Sequence, residues 1–136
     1  MNCQNFDLFQ RNKKFFEMAK KIAITSEYGK FKHAAILVHQ GVILNSSPNK
    51  NKVCSFGKRF RPANKGIATL HAELGAILNM PKEVTKGADV YVVRVNCDGL
   101  YRNSKPCIMC QEAMRFCGIK RVFYSTEDGT FERMKL

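Results

Sequence analysis

The stretches His71-Ala72-Glu73 and Pro106-Cys107-Ile108-Met109-Cys110 decide what fold and chemistry to expect of this 136-residue chain. They supply one imidazole, two thiols three residues apart, and a carboxylate two residues from the imidazole. Imidazole and thiolate are zinc ligands, and a carboxylate beside them can move protons. Three protein ligands leave a tetrahedral site with one open position, where a water molecule binds and its pKa falls to about 7. The pattern therefore predicts a Zn²⁺ site made by the His and the two Cys, with Glu73 as the acid/base.

Both stretches are expected at the start of a helix. Pro106 suits the first turn of a helix, because it has no N–H to leave unpaired and its φ is already helical. Cys107 and Cys110 then lie on one face of that turn, where the positive end of the helix dipole lowers the pKa of a thiol. His71 and Glu73 do not share a face inside a helix, so the site requires that His71 lie at a helix entry.

Hydrophobic periodicity and turn signals predict the element order α, β, β, α, β, α, β. The first helix carries the apolar stripe Phe15, Met18, Ala19, Ile22 and Ala23. The predicted elements are a helix over 7–25, strands over 34–39 and 42–45 joined by Gln40-Gly41, a helix over 70–80 ended by Pro81, a strand over 89–95, the cysteine helix ended by Gly118, and a strand over 121–125.

The last predicted strand, helix and strand form a crossover unit. Because such crossovers are right-handed and make neighbouring strands parallel, strands 89–95 and 121–125 are expected to pair in parallel. The fold class predicted is α/β, with a mixed sheet, parallel final strands and both zinc-ligand helices on one face. The length and the 45% hydrophobic content predict one domain over residues 1–136.

Charge is the second bulk property that bears on function. The chain has 23 Lys plus Arg against 11 Asp plus Glu, a net charge of +12. This excess favours a polyanionic or phosphorylated partner, and a merely solubilising basic surface is the alternative. The N-terminus has no secretory pattern and no segment reaches membrane-spanning length, so no membrane partner is expected. The six cysteines are then interpreted as thiols of an intracellular protein, cytoplasmic, or nuclear if the source is eukaryotic or viral.

Residues 49–66 combine basic and aromatic side chains without any acidic residue. Cations can follow a phosphate backbone and aromatic rings can stack on bases, as in single-strand binding loops. The segment runs into His71, so Lys58, Arg59 and Phe60 are predicted to contact substrate. The alternative is a solvated loop with Phe56 and Phe60 packed beneath it.

The pairing of His-x-Glu with Pro-Cys-x-x-Cys resembles the zinc site of the cytidine and deoxycytidylate deaminase superfamily. The resemblance covers about residues 13–126 and implies a three-layer deaminase-like fold. It implies that His71, Cys107 and Cys110 bind zinc and that Glu73 shuttles protons. Pro-Cys-Ile-Met-Cys is nearer the deoxycytidylate, tRNA-adenosine and polynucleotide groups than the free-cytidine group. Asn49 lies where relatives often place an Asn against the sugar or base.

Three function classes follow from these observations. The first is a zinc-dependent hydrolase that converts cytosine to uracil in a nucleotide or single-stranded nucleic acid, or adenosine to inosine in tRNA or another nucleic acid. The second is an inactive zinc-stabilised nucleic-acid-binding module in which Cys97 or Cys117 is the fourth zinc ligand. The third is a Cys-x-x-Cys redox protein, in which His-x-Glu would have no task. Ala72, Ser104 and Pro106 are further candidate substrate contacts. The sequence is compatible with a homo-oligomer.

Overall fold

The computed structural model describes residues 3–26, 32–60 and 69–136, with side chains described at 8–26, 32–50, 54–60 and 70–136. Eight strands and five helices lie within these residues. In chain order they are α1 (Cys3–Ala23), β1 (Lys32–His39), β2 (Val42–Pro48), β3 (Lys50–Val53), α2 (Ser55–Lys58), β4 (Thr69–Leu70), α3 (Ala72–Ile77), α4 (Lys82–Thr85), β5 (Asp89–Val95), β6 (Tyr101–Arg102), α5 (Ile108–Phe116), β7 (Arg121–Ser125) and β8 (Phe131–Lys135).

The main sheet is mixed, as expected. Its strands run in the order β2-β1-β5-β7-β8, and β6 pairs with β5. Strands β5 and β7 are parallel, with Val90 opposite Val122, whereas the other pairs are antiparallel. The crossover through α5 therefore has the predicted result.

Strand β8 was not predicted. It follows the Asp128-Gly129 turn and pairs antiparallel with β7, so the parallel pair is followed by one more strand. The strand has only five residues, three of them charged, which hides its strand periodicity. Charged side chains are typical of an edge strand because they discourage pairing with another chain.

Two hydrophobic clusters, one on each face of the sheet, define three layers. On one face, α1 packs Phe16 and Ala19 against Ile36, Val93 and Phe131. On the other, α3 and α5 pack against inward side chains of the central strands, among them Leu37, Val92 and Val122. Both helices that carry the predicted zinc ligands thus lie on one face, as expected.

Local details of the first three elements agree with the sequence patterns, with one correction. Gln40 and Gly41 have φ of 51° and 79°, the left-handed values of a two-residue hairpin turn between β1 and β2. The apolar stripe of α1 was wrong for Met18, which is 39% exposed, whereas Phe16 is fully buried. The buried stripe includes Phe16 in place of Met18, because Phe16 packs against Phe131 and Tyr91.

The helix predicted over residues 70–80 is shorter in the structure. Leu70 belongs to β4, which pairs with β3, and α3 covers only Ala72–Ile77. Asn79 adopts a left-handed φ of 64°, and Pro81 is the N-cap of α4 and not the terminator of α3. Among the described residues, no helix is both long enough and apolar enough to cross a membrane.

Candidate active site

His71 lies at the entry of α3, the position that the sequence argument required. Its backbone is extended, with φ of −70° and ψ of 154°, and it is the N-cap residue of the helix. The His71 carbonyl accepts the first helical hydrogen bond from Gly75 N at 3.0 Å. Because the backbone changes conformation at this residue, the imidazole and the carboxylate of Glu73 can reach one site although they are two residues apart.

The two cysteines lie at the start of α5. Cys107 is the N-cap and its carbonyl accepts from Gln111 N at 2.9 Å, while Gln111 Nε2 donates to Pro106 O at 2.8 Å. Cys110 lies one turn further on and is fully buried, whereas Cys107 is exposed. The two thiols therefore lie at different depths, with Cys110 in the interior and Cys107 at the surface.

The side-chain atoms of His71, Cys107 and Cys110 converge. His71 Nδ1 lies 3.3 Å from Cys110 Sγ and 3.7 Å from Cys107 Sγ. In a tetrahedral zinc site with Zn–N of about 2.0 Å and Zn–S of about 2.3 Å, such atoms lie about 3.6 Å apart. The donor set and its spacing therefore fit zinc.

The described side chains contain one such group of three or more possible ligands, with all ligand atoms within 4.8 Å of one another. Neither Cys97 nor Cys117 belongs to it. Cys97 is exposed beyond the end of β5, and Cys117 is the C-cap of α5, at the opposite end of that helix from Cys107. Among the described residues, then, this group has three protein ligands.

The thiols affect each other strongly. A hydrogen bond from Cys110, helped by one with His71, lowers the pKa of Cys107 to about 4. The same hydrogen bond with Cys107, together with burial, raises the pKa of Cys110. The site thus readily holds one thiolate, and a bound dication would favour loss of the second proton.

Glu73 is a buried carboxylate beside the three ligands. It lies in the first turn of α3 with 6% of its surface exposed. Burial raises the pKa of Glu73 above its ordinary value, although its hydrogen bonds, one of them to Cys110, and the charge of His71 oppose this. A carboxyl group beside a metal site can act as a general base and then as a general acid.

Among the predicted substrate contacts, Ser104 is held by structural hydrogen bonds. Its buried hydroxyl donates to Val92 O at 2.8 Å and lies 2.9 Å from Ser125 Oγ. It also accepts from Ser125 N at 2.9 Å, so it ties β5 to β7. Ala72 and Pro106 are buried and directly follow or precede the candidate ligands His71 and Cys107 in the sequence, and Ala72 is part of the core.

Asn49 anchors the end of β2. Its Oδ1 accepts from Ser26 Oγ at 2.5 Å and from His33 N at 3.1 Å. These bonds fix the orientation of the side chain and join the end of α1 to the start of β1. A substrate role for Asn49 and Ser104 stays a prediction.

The basic-aromatic segment is partly structured. Residues 55–58 form α2, with Cys54 Sγ accepting a capping hydrogen bond from Gly57 N at 3.3 Å. Lys58 and Arg59 are exposed, whereas Phe56 and Phe60 pack against the core, as the alternative interpretation expected. The predicted loop residues from Arg61 to Gly66 lie outside the described residues.

Two positions that support α3 were missed by sequence reasoning. An added Cβ at Gly75 would lie 2.6 Å from Ser47 Cβ, so only glycine lets α3 approach β2 this closely. Asn45 Nδ2 donates to Ala76 O at 2.9 Å and fastens the same two elements. A glycine inside an apolar helix pattern was the available signal.

Comparison with known proteins agrees with this geometry. The profile of the cytidine and deoxycytidylate deaminase zinc-binding region matches residues 9–126, which include both motifs. No curated protein gives a significant match to the sequence.

Solved structures share the fold. The dCMP deaminase of cyanophage S-TIM5, in its apo form, is 22% identical, with a TM-score of 0.62 over 87% of this chain and 84% of that one. A structure from a study of A-to-I editing by tRNA:A34 deaminases at the wobble position of transfer RNA is 27% identical, with a TM-score of 0.54 over 87% and 78%. Acinetobacter baumannii RibD is 15% identical, with a TM-score of 0.55 over 87% and 28%.

The match over most of the chain confirms the family expected from the two motifs, and with it zinc as the cofactor, for which His71, Cys107 and Cys110 are suitably placed. This chain belongs to the cytidine and deoxycytidylate deaminase family.

Proposed function

We propose that this protein is a zinc-dependent hydrolytic deaminase that converts cytosine to uracil in a nucleotide or a single-stranded nucleic acid. One domain over residues 1–136 would carry the activity. The observation that supports this best is the buried carboxylate of Glu73 beside a group of three ligands, His71, Cys107 and Cys110. A structural zinc site has four protein ligands and needs no buried acid next to it.

Zinc, when bound, supplies a Lewis acid that lowers the pKa of a water molecule at the open position. In the proposed reaction, Glu73 accepts a proton from the attacking water and passes it to the ring nitrogen N3 next to the amino-bearing carbon. A carbon–oxygen bond forms at that carbon. Glu73 then carries the second proton of the water to the amino group, the carbon–nitrogen bond breaks, and ammonia leaves.

Cys107 and Cys110 contribute by their position at the start of α5. The N-terminal N–H groups and the helix dipole stabilise thiolate there. The Nδ1 atom of His71 faces the two thiols. The other ring nitrogen, Nε2, is then the atom through which a hydrogen bond can orient the imidazole. Ala72, which lies between His71 and Glu73 in the sequence, is buried in the core.

The alternative activity is conversion of adenosine to inosine in tRNA or another nucleic acid. It is favoured by the likeness to the tRNA:A34 deaminase structure at 27% identity and by the net charge of +12. Cytosine is preferred here because the family profile is that of cytidine and deoxycytidylate deaminases.

The non-catalytic zinc module has less support. It needs Cys97 or Cys117 as the fourth ligand, and neither side chain joins the ligand group. A redox function of the two cysteines would give Glu73 and His71 no role in the chemistry. For the intact protein we propose an intracellular location with a nucleotide or single-stranded nucleic acid as partner.

Product analysis by mass spectrometry tests the proposal. The zinc-loaded protein is incubated with cytidine, dCMP, and mixed-sequence single-stranded DNA and RNA. Deamination replaces an NH by an oxygen and adds about one dalton. We expect the gain on cytosine in dCMP or in the strands. A gain on adenine alone would select the alternative activity, and no gain on any substrate would contradict the proposal.

A further inference from the structure

A cavity lies at the far ends of the two ligand helices. It has a volume of about 260 Å³ and is lined mostly by apolar side chains, with Ile77 and Leu78 from the end of α3 and Phe116 and Cys117 from the end of α5. We call it the helix-end cavity. Because α5 is nine residues long, the cavity lies about 14 Å along the helix from Cys107. It is therefore separate from the metal ligands but on the same side of the sheet.

An aromatic cluster adjoins the helix-end cavity, and two of its rings, Phe56 and Phe116, line it. The ring centroids of Phe56 and Phe60 are 5.3 Å apart, and those of Phe60 and Phe116 are 5.6 Å apart. Phe56 and Phe60 are half-buried against the core, whereas Phe116 is 54% exposed at the end of α5. Phe56 and Phe60 thus support the Phe116 ring, which is exposed to solvent.

Two cations surround the exposed ring. The guanidinium carbon of Arg59 lies 5.1 Å from the Phe116 centroid, and Lys82 Nζ lies 5.9 Å from it. Within the described residues neither cation forms a salt bridge. The acid nearest in sequence on α5, Glu112, is paired with Arg115 at 2.7 Å. Both charged groups recorded in contact with the Phe116 ring, Arg59 and Lys82, are therefore cationic.

A polar side chain completes the lining. Asn79 follows α3 with a φ of 64°, a conformation that Asn tolerates better than most residues, and it lines the cavity. In the described part of the chain no hydrogen bond engages its amide. An amide offers one donor and one acceptor side by side, which matches the edge of a nucleobase.

We propose that the helix-end cavity binds one base of a single-stranded nucleic acid together with its phosphate, away from the reacting base. The base stacks on Phe116, Lys82 and Arg59 neutralise the phosphate, and Asn79 faces the base edge. This inference rests on the proposed function, because it makes a strand the substrate. A strand fits better than a free nucleotide because Lys58, exposed in the last turn of α2 next to Arg59, extends the positive surface beyond the cavity itself.

Binding of a labelled oligothymidylate of about twelve nucleotides to the zinc-loaded protein tests the inference. Thymine has no exocyclic amino group, so this measurement does not depend on deamination. Phe116→Leu keeps an apolar side chain but removes the stacking face, and we expect affinity to fall at least about fivefold. Lys82→Gln should lower the slope of log affinity against log salt by about 0.7, the value for one phosphate contact on a single strand.

Matched controls separate these effects from general losses. Lys14→Gln removes a cation that lies 4.9 Å from the Phe15 ring on the opposite face of the sheet. Leu100→Ala removes a side chain that is 60% exposed. Both should bind the strand as the wild type does, and all four variants should melt within a few degrees of it.

Three results would overturn the inference. The first is an affinity of Phe116→Leu for the strand that equals that of the wild type. The second is a loss of salt dependence in Lys14→Gln as large as that in Lys82→Gln. The third is an affinity for thymidine monophosphate that equals the affinity for the strand and depends on Phe116, which would assign the cavity to free nucleotides. The two proposals fail separately. Strand binding that depends on Phe116 without turnover of any substrate would refute only the enzymatic activity, and turnover with binding indifferent to Phe116 would refute only the cavity.

Discussion

The Nδ1 atom of His71 lies 3.3 Å from Sγ of Cys110, although the two residues are 39 positions apart in the sequence. We expect Cys110→Ser to lose bound zinc, because an alcohol is a far poorer zinc ligand than a thiolate. Zinc content per protein after gel filtration is the measurement. Cys117→Ser at the other end of α5 is the matched control and should retain zinc. Equal zinc content in the two variants would contradict the assignment of Cys110 as a ligand.

Metal removal should also lower stability. A ligand that binds only the folded state at 1,000 times its dissociation constant stabilises it by about 4 kcal/mol. We therefore expect a chelator to lower the melting temperature of the wild type clearly but to have little effect on Cys110→Ser. A wild type whose melting temperature does not respond to chelation would argue against zinc at this site.

The contact between Gly75 and Ser47 fixes the position of α3. A methyl group at Gly75 would lie 2.6 Å from Ser47 Cβ, so Gly75→Ala should reduce the free energy of unfolding by about 1–3 kcal/mol. Urea denaturation measures this change. Adding Ser47→Gly removes the clashing atoms and should recover part of the loss, with Ser47→Gly alone as the reference. Strictly additive effects of the two substitutions would rule out the clash.

The hydroxyl of Ser104 joins β5 to β7, and its removal distinguishes a structural from a substrate role. Ser104→Ala leaves Ser125 N without its buried acceptor and should cost about 1–3 kcal/mol. The exposed Ser46 in β2 provides the control substitution, Ser46→Ala, with an effect near zero. If Ser104→Ala kept full stability but raised KM severalfold, Ser104 would be a substrate contact instead.

Alkaline pH should destabilise the fold through buried tyrosines. Burial raises the pKa of Tyr101 and of Tyr124 to about 12, and it raises the pKa of Tyr91 further. Above pH of about 10 the unfolded chain ionises these three tyrosines while the folded protein keeps them protonated, so their contribution to stability is complete below that pH and is lost as pH rises toward 12. Melting temperatures between pH 9 and 11.5, compared with those of Tyr91→Phe, test this. A melting temperature that stayed constant over this range in the wild type would contradict it.

The parts that the sequence predicted correctly depend on local signals. Gly118 marks the end of α5 and Gln40-Gly41 marks the hairpin, because each has a backbone preference of its own. Pro106 signals the start of α5, although it precedes the extended Cys107 N-cap and does not lie in the first turn. The spacing of Cys107 and Cys110 was sufficient to place both on one turn. The position of His71 at the start of α3 was predicted because residues two apart do not share a face inside a helix, so His71 and Glu73 can reach one site only there.

The parts that it did not predict depend on contacts between distant residues. Strand β8 exists because it pairs with β7, and its sequence contains more charge than strand signal. Met18 was placed in the core by periodicity, but the neighbouring Phe16 fits better between Phe131 and Tyr91. The helix-end cavity joins the ends of α3 and α5, which no local pattern connects.

The most direct test of the account is Glu73→Gln. Gln keeps the size and hydrogen-bonding ability of Glu but cannot accept and release a proton, so we expect full zinc content and a loss of turnover of at least about 100-fold. Turnover of dCMP and of cytosine-containing single strands, measured together with zinc content, gives the answer. Retained turnover in a zinc-loaded Glu73→Gln protein would contradict the proposed role of Glu73.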